Sequence, residues 1–304
     1  MTTNFPPGSQ SPELASVDMK NGQSGLKALI RIALEEDHVA NDITTRLLFP
    51  DPVPAAASII AKEDMVLAGI DVARQVFKQV DRRLRFSRSC RDGDSVKAGT
   101  TCCTIRGDAR SLLSAERVAL NFLQHLSGIA SLTHQFQRHM RGRNTQILDT
   151  RKTTPGLRML QKMAVKLGGG RNHRMSLKDG ILIKDNHLAI LKSLGIDITE
   201  ACRKVKKRSH LKICVETESL PQVEAAVKGG ADIIMLDNMS PRMLRKAIRL
   251  INGRALTEIS GGVTLKNIAT IARVGADFIS IGALTHSARA MDLSLALDPL
   301  PSGR

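Results

Sequence analysis

Among the basic and imidazole side chains of residues 149–187, five stand at strand ends or beside a glycine loop: Arg151, Lys152, His173, Arg174 and Lys184. Beside them lie a Gly168-Gly169-Gly170 run and two short apolar segments of strand type, 146–148 and 180–183, each of which ends in charge. One Arg or Lys next to a strand is usually solvated surface. Five such groups delivered by two strand ends and a glycine loop describe an anion pocket instead. Guanidinium forks suit carboxylates and phosphates, and glycines leave backbone N–H groups free to approach a ligand. Between the strands, Thr154 is expected to cap a helix starting at Pro155, with Leu157, Leu160, Met163, Ala164 and Leu167 at helical spacing until Gly168 stops it.

The elements that must position these groups repeat downstream. Apolar segments 211–215, 232–236, 255–259 and 277–281 end in Glu216, Asp237-Asn238, Ser260-Gly261-Gly262 and Gly282, with helical patterns between them. Ser219 with Gln222 reads as a capping box, Ser240-Pro241 as a helix start and Thr264 as a cap. Gly230-Ala231-Asp232-Ile233-Ile234 is echoed by Gly275-Ala276-Asp277-Phe278-Ile279, which points to repeated β/α units. Parallel strands in such repeats close into a barrel whose chemistry sits at the carboxyl ends of the strands. Polar or glycine residues stand at every strand end, so the pattern points to an enzyme. Ser260-Gly261-Gly262 and Gly282 match the place where such barrels hold a phosphate, although glycine there can be purely conformational.

Upstream the pattern is mixed. A helix from about Gly25 is followed by strands near 57–60, 65–67, 84–87 and 101–105, with a helix through Ile70, Ala73, Phe77 and Val80. Residues 109–126 read as one long helix, where Arg117 shares a face with Leu113, Leu120 and Gln124. A snorkelling arginine explains it; projection into a site across a subunit interface is the alternative.

The 304 residues carry a formal charge of +16, which predicts attraction to anions. With no Trp, no Tyr and seven Phe, the stacking platforms used on single-stranded nucleic acid are nearly absent, so small phosphorylated or carboxylated ligands fit better. The basic run 203–208, RKVKKR, ends a helix that begins near Asp197 and Glu200, and macrodipole complementarity accounts for it. Five cysteines without a C-x-x-C pair point to a reducing cytoplasm. No apolar stretch is long enough for a membrane span, and the histidines show no zinc spacing. Residues 1–22 read as a disordered leader without signal-peptide features.

Taken together, DTRKTTPGLR, GGGRNHRM and LIKDNH resemble the quinolinate phosphoribosyltransferase family. The likeness continues through AERVALNFLQHLSGIA at 115–130, VETES at 215–219, MLDNM at 235–239, EISGGV at 258–263 and SIGALTHSA at 280–288. It implies an α/β fold: an N-terminal α/β sandwich (23–127), an incomplete (β/α) barrel (128–286) and a C-terminal helix or tail (287–304) packing back on the first domain. It also implies a homodimer and a reaction of quinolinate with phosphoribosyl pyrophosphate, assisted by magnesium, giving nicotinate mononucleotide, pyrophosphate and carbon dioxide. By resemblance, Arg151, His173 and Arg174, with Arg117 of the partner subunit, hold the quinolinate carboxylates, and Thr150 belongs to the same substrate-binding set. Lys152 and Lys184 face the substrate and pyrophosphate anions. Glu216 and Asp237 meet the ribose hydroxyls and the magnesium ion, and Ser260, Gly261, Gly262 and Gly282 take the 5′-phosphate. Lys152, Lys184, Glu216 and Asp237 form the catalytic set.

Three positions depart from the family's habit: Ser176 where glycine is frequent, Met163 where tyrosine is, and Asn41 where glycine precedes the Asp-Ile-Thr-Thr turn. None is an expected catalytic group. One rival is a molybdate-transport-associated paralogue with another substrate. A basic nucleic-acid-binding protein is the rival from a different class, and Glu216 and Asp237 would repel its ligand.

Overall fold

A computed structural model of the chain describes residues 19–299. The elements run α1 (Met19–Glu36), α2 (Ile43–Leu48), β1 (Pro54–Ala61), β2 (Met65–Val66), α3 (Ile70–Val80), β3 (Arg85–Arg88), β4 (Ser95–Val96), β5 (Thr101–Asp108) and α4 (Ala109–His139). Then follow β6 (Gln146–Leu148), α5 (Arg158–Leu167), β7 (Ile181–Ile183), α6 (Asp185–Ser193), α7 (Ile198–Lys206), β8 (Ile213–Thr217) and α8 (Leu220–Gly229). The chain continues through β9 (Ile233–Asp237), α9 (Pro241–Ile251), β10 (Leu256–Ser260), α10 (Ile268–Ala272), β11 (Phe278–Ser280), α11 (Ala283–His286) and β12 (Leu293–Pro299). The expected leader lies outside the described residues as far as residue 18. From Met19 the backbone is helical, so α1 starts earlier than Gly25.

Strands β12, β1, β5 and β3 form an antiparallel sheet in that order. Alternate residues Ala55, Ala57, Ile59 and Ala61 of β1 are fully buried, the period-2 signature of a sheet with one covered face. Helices α1, α3 and α4 supply apolar cover, with Ile30, Phe77 and Leu112 fully buried among them. The C-terminal segment was expected to be a helix or tail; residues 293–299 are instead a strand, in register with β1 from Ala61↔Leu293 to Ala55↔Pro299. Backbone pairing favours this, because β1 would otherwise present an unpaired edge.

Strands β6, β11, β10, β9, β8 and β7 form a parallel sheet in that order, curved into an incomplete barrel. Strands β6 and β7 are its edges. The repeated Gly-Ala-Asp has a physical meaning here. Asp232 accepts the Ile213 N–H at 2.9 Å, and Asp277 accepts the Thr257 N–H at 2.8 Å, so each repeat ties the start of its strand to a neighbouring strand. Asp197, Ser219 and Ser240 cap α7, α8 and α9. The expected capping box is only half formed, since Gln222 Oε1 takes the Glu218 N–H at 2.7 Å rather than that of Ser219. Thr264 lies in a turn ahead of α10, whose N-cap is Asn267.

Helix α4 is longer than its apolar pattern suggested, running 31 residues from the sandwich into the barrel, so the expected division at 127/128 falls inside it. Its buried stripe continues through Ile129, Ala130, Thr133 and Phe136, where it packs on α5. Gln124 O accepts the Met291 N–H at 3.0 Å, and Gln124 Nε2 donates to Leu293 O at 2.9 Å, steering the C-terminal segment into β12. Gly128 permits this crossing: a Cβ there would lie 1.9 Å from Arg289 O. No helix among the described residues is long and apolar enough to cross a membrane.

Gly128→Ala should therefore push residues 289–290 off α4 and destabilise the fold by roughly 1–3 kcal/mol, as overpacking does. Urea unfolding checks this; an unchanged midpoint would show that the crossing tolerates a methyl group.

Candidate active site

One cavity of about 700 Å³ opens at the carboxyl ends of the parallel strands. Its wall follows the sheet order. Lys184 stands just after β7, Glu216 and Asp237 on β8 and β9, Ser260-Gly261-Gly262 after β10, Gly282 after β11, and Thr150, Arg151 and Lys152 after β6. The open side between the edge strands is spanned by residues 171–174. Arg171 bridges Leu148 at the end of β6, while Arg174 Nη1 donates to Gly180 O at 2.8 Å, next to β7. That span brings His173 and Arg174 to the cavity. Arg117 alone of the expected residues does not line it and is exposed on α4.

The span is held from below by a buried ion pair. Asp149, at the end of β6, and Lys162, on α5, are both fully buried with Nζ 2.5 Å from Oδ1. Asp149 Oδ1 also accepts the His173 N–H at 2.8 Å, and Lys162 donates to His173 O at 2.9 Å. With its amide nitrogen turned toward them, Asn172 donates to Asp149 Oδ2 and to Lys162 O, each at 2.8 Å. Burial pushes the Asp149 carboxyl up to about 6 against the pull of Lys162, and burial lowers Lys162.

The glycine run does not do what its composition suggested. Gly168, Gly169 and Gly170 spend their N–H groups on Ala164, Lys166 and Val165 carbonyls, closing the end of α5. A Cβ at Gly168 would lie 2.3 Å from Ala130 O of α4, so the run serves helix packing and does not line the cavity. Thr154 likewise is no helix cap: α5 begins at Arg158 after a turn in which Leu157 N–H reaches Thr154 O at 3.1 Å.

The cationic wall is under electrostatic strain. Arg174 is nearly buried, and its affinity for its proton is lowered first by burial and then by Arg151. Arg151 Nε is buried without a partner. Two guanidinium groups held this close, one with an unused donor, are ready for an anion. On β8, burial and then the charge of Asp237 raise the Glu216 carboxyl above its usual range. Asn238, at φ 52°, donates Nδ2 to Asp237 Oδ2 at 2.7 Å and so aims that carboxylate. Gly261 must be glycine: its φ is +89°, and a Cβ would lie 2.1 Å from Asn238 Oδ1.

The chain matches the family model for the quinolinate phosphoribosyl transferase N-terminal domain over residues 42–127 and that for the C-terminal domain over 129–296. The chain belongs to the quinolinate phosphoribosyltransferase family. A probable nicotinate-nucleotide pyrophosphorylase [carboxylating] from Bacillus subtilis is 40% identical over 272 residues, covering 89% of this chain and 92% of that one. A chloroplastic nicotinate-nucleotide pyrophosphorylase [carboxylating] from Oryza sativa is 42% identical over 294 residues, covering 90% and 78%. The solved nicotinate-nucleotide pyrophosphorylase of Francisella tularensis superposes with a TM-score of 0.87 at 36% identity, covering 95% of this chain and all of that one.

Two groups of this cavity had no role assigned from the sequence: Asn238, read only as part of a strand end, and Glu258, present only within a family string. Asn238 follows a marked residue. Glu258 carried a signal of its own, an acid in the middle of the otherwise apolar and hydroxyl-bearing Leu-Thr-Glu-Ile-Ser strand β10. It is fully buried, neither carboxylate oxygen has a hydrogen-bond partner, and Oε2 lies 3.5 Å from His173 Nε2. In register beside it stand Met235 and Phe278, which offer no donor. His173 Nδ1 takes the Arg174 N–H at 2.8 Å, so the ring proton sits on Nε2, directed at Glu258.

Lys162→Met should cost about 3–5 kcal/mol, because it strands a buried carboxylate; chemical denaturation with intact secondary structure at zero denaturant measures it. Glu258→Leu should move the other way in the ligand-free protein, gaining about 1–3 kcal/mol by removing an unsatisfied buried acid while lowering turnover. A Glu258→Leu protein less stable than its parent would show that the carboxylate is compensated.

Proposed function

We propose that this chain transfers the phosphoribosyl group of phosphoribosyl pyrophosphate to quinolinate with loss of carbon dioxide, giving nicotinate mononucleotide for NAD synthesis. The observation that carries this reading is one cavity that joins a cationic set with an unused Arg151 donor to the Glu216 and Asp237 carboxylates and a glycine turn. A dianionic acceptor fits the first, and a ribose carrying phosphates fits the rest.

In this reading Arg151, His173 and Arg174 bind the two carboxylates, bidentate guanidinium contacts fixing the ring so that its nitrogen faces the anomeric carbon. Glu216 and Asp237 hold the ribose hydroxyls and stabilise the positive charge that develops on the sugar as the bond to pyrophosphate breaks. Lys152 and Lys184 draw charge off the departing pyrophosphate. The turn Ser260-Gly261-Gly262 and Gly282 hold the 5′-phosphate on backbone N–H groups. The ring nitrogen becomes cationic on bonding to the sugar and stabilises the electron pair left on the neighbouring carbon as carbon dioxide departs; that carbon then takes up a proton from water. No external electron sink is needed.

Among the described residues no group of three or more His, Cys, Asp or Glu is placed to cage a metal ion. Glu216 and Asp237, two mutually repelling oxygen donors, suit magnesium in another way, as carboxylates sharing an ion with substrate phosphates. When bound there, magnesium would neutralise charge on the pyrophosphate. We also read the assembly as a homodimer with no nucleic-acid partner, in which Arg117, exposed and outside its own cavity, serves the partner's site. The cytoplasm, a reducing compartment, suits the five free thiols. A molybdate-transport paralogue is not favoured, since the relatives carry the pyrophosphorylase name.

Purified protein with quinolinate, phosphoribosyl pyrophosphate and magnesium should form nicotinate mononucleotide, and nicotinate in place of quinolinate should yield none. Arg174→Ala should lower kcat/KM for quinolinate by roughly 100-fold or more, the loss expected when a charged hydrogen-bonding partner is removed. Absence of product from a folded wild-type protein would remove the quinolinate assignment.

A further inference from the structure

Neighbouring residues of α5, Gln161 and Lys162, are both fully buried, and they serve different halves of the site. Lys162 reaches Asp149 and His173 O, on the carboxylate-binding side. Gln161 reaches the other way. Its Oε1 accepts the Thr154 N–H at 3.0 Å, and its Nε2 donates to Thr154 Oγ1 at 3.0 Å and to Thr285 O at 3.3 Å. The same nitrogen meets His125 Nε2 at 2.9 Å. Thr285 Oγ1 in turn donates to Lys152 O at 2.8 Å. The Lys152 stem lies along Gly282, where a Cβ would be 3.2 Å from Lys152 Cδ. One amide thus links α4, α5 and α11 to the loop that carries Lys152.

The orientation of that amide is not free. Thr154 N–H can only donate and Thr285 C=O can only accept, so Oε1 must face the first and Nε2 the second. His125 Nε2 can share one of the two Gln161 Nε2 hydrogens only as a neutral imidazole with its proton on Nδ1, since an amide nitrogen cannot accept. Burial lowers the proton affinity of His125 and favours that form. A buried amide with its donors and acceptor all engaged holds its partners in one arrangement, and any replacement that breaks the set leaves the Thr154 N–H and the Thr285 carbonyl unpaired.

We propose that Gln161 is a positioning residue for Lys152, and through it for the phosphoribosyl pyrophosphate half of the site. It does not line the cavity and touches no substrate. Its effect passes along Thr154 and Thr285 to the Lys152 backbone and to the Gly282 turn. The proposal rests on the function argued above, and it assigns the two adjacent buried residues of α5 to the two substrates separately.

Steady-state kinetics of full-length Gln161→Leu test it. The expected result is a rise of roughly tenfold or more in KM for phosphoribosyl pyrophosphate, the scale of a misplaced anion-binding group, with KM for quinolinate held within about twofold. A general loss of packing would move both together. Thr285→Val removes the hydroxyl that reaches Lys152 O and, at 3.2 Å, Gly282 O, and should raise the same KM by a smaller factor; if Gln161→Leu does not fold, this variant decides. Equal shifts in both KM values, or no shift in that for phosphoribosyl pyrophosphate, would overturn the positioning role while an active wild type left the functional reading standing. A folded but inactive wild type would overturn both.

Discussion

The contact between Asp149 and Lys162 is the constraint on which the site depends. Two charges taken fully out of water carry a desolvation cost of several kcal/mol each, and their attraction repays it only when further hydrogen bonds complete the geometry. Here those bonds come from the chain that the pair must hold: the His173 N–H and carbonyl, and the Asn172 amide. Stability and placement are therefore one problem. The pair is satisfied only when residues 172–174 lie across the open side of the barrel, and in that arrangement His173 and Arg174 face the cavity. An apolar pair of similar volume could fill the space under β6 and α5. It could not specify the path of the loop.

A six-stranded parallel sheet leaves two unpaired edges, which a closed barrel would not have. The chain uses them: the loops that follow β6 and β7 both carry basic residues, and the segment between them carries more. Helix α4 fixes the frame from outside by passing under the sandwich and along α5, with Gly128 and Gly168 allowing backbone to approach backbone. The C-terminal strand completes the sandwich sheet after the barrel has been traversed. The first and last parts of the described chain are thus hydrogen-bonded to one another, and the barrel sits between them.

Much of this was legible in residue types and spacing because strand ends in a parallel sheet coincide with the site. Once 146–148, 211–215, 232–236 and 255–259 read as strands, Arg151, Glu216, Asp237 and Ser260 had to gather at one end. What was not legible depended on long-range partners. The glycine run has one sequence and two possible uses, and only the position of Ala130 O on α4 decides for packing. Thr154 has the type of a helix cap, yet Gln161 seven residues on takes its N–H. The C-terminal segment pairs with a strand more than two hundred residues earlier, which no local period encodes. Glu258 was hidden for a different reason. An acid inside a strand weighs little in a periodicity count, and its burial without partners becomes visible only when the neighbouring strands are in register.

Net charge and site charge also have to be separated. Many of the cations behind the +16 balance lie near helix carboxyl ends, such as Lys166, Lys192, Lys206, Lys228 and Arg249, where they complement the macrodipole. Salt screens such exposed charges beyond about 8 Å under physiological conditions, so their role toward a small anion is confined to hastening its arrival. Inside the cavity the arithmetic is different. Arg151 and Arg174 are close enough for one to weaken the other's hold on its proton, while burial and the neighbouring Asp237 charge raise the Glu216 carboxyl. Each repulsion is relieved by a ligand of opposite sign and by little else. The free site therefore stores part of its selectivity as like-charge strain, and a ligand that brings anionic carboxylates to one wall and hydroxyls with a cation to the other releases both at once.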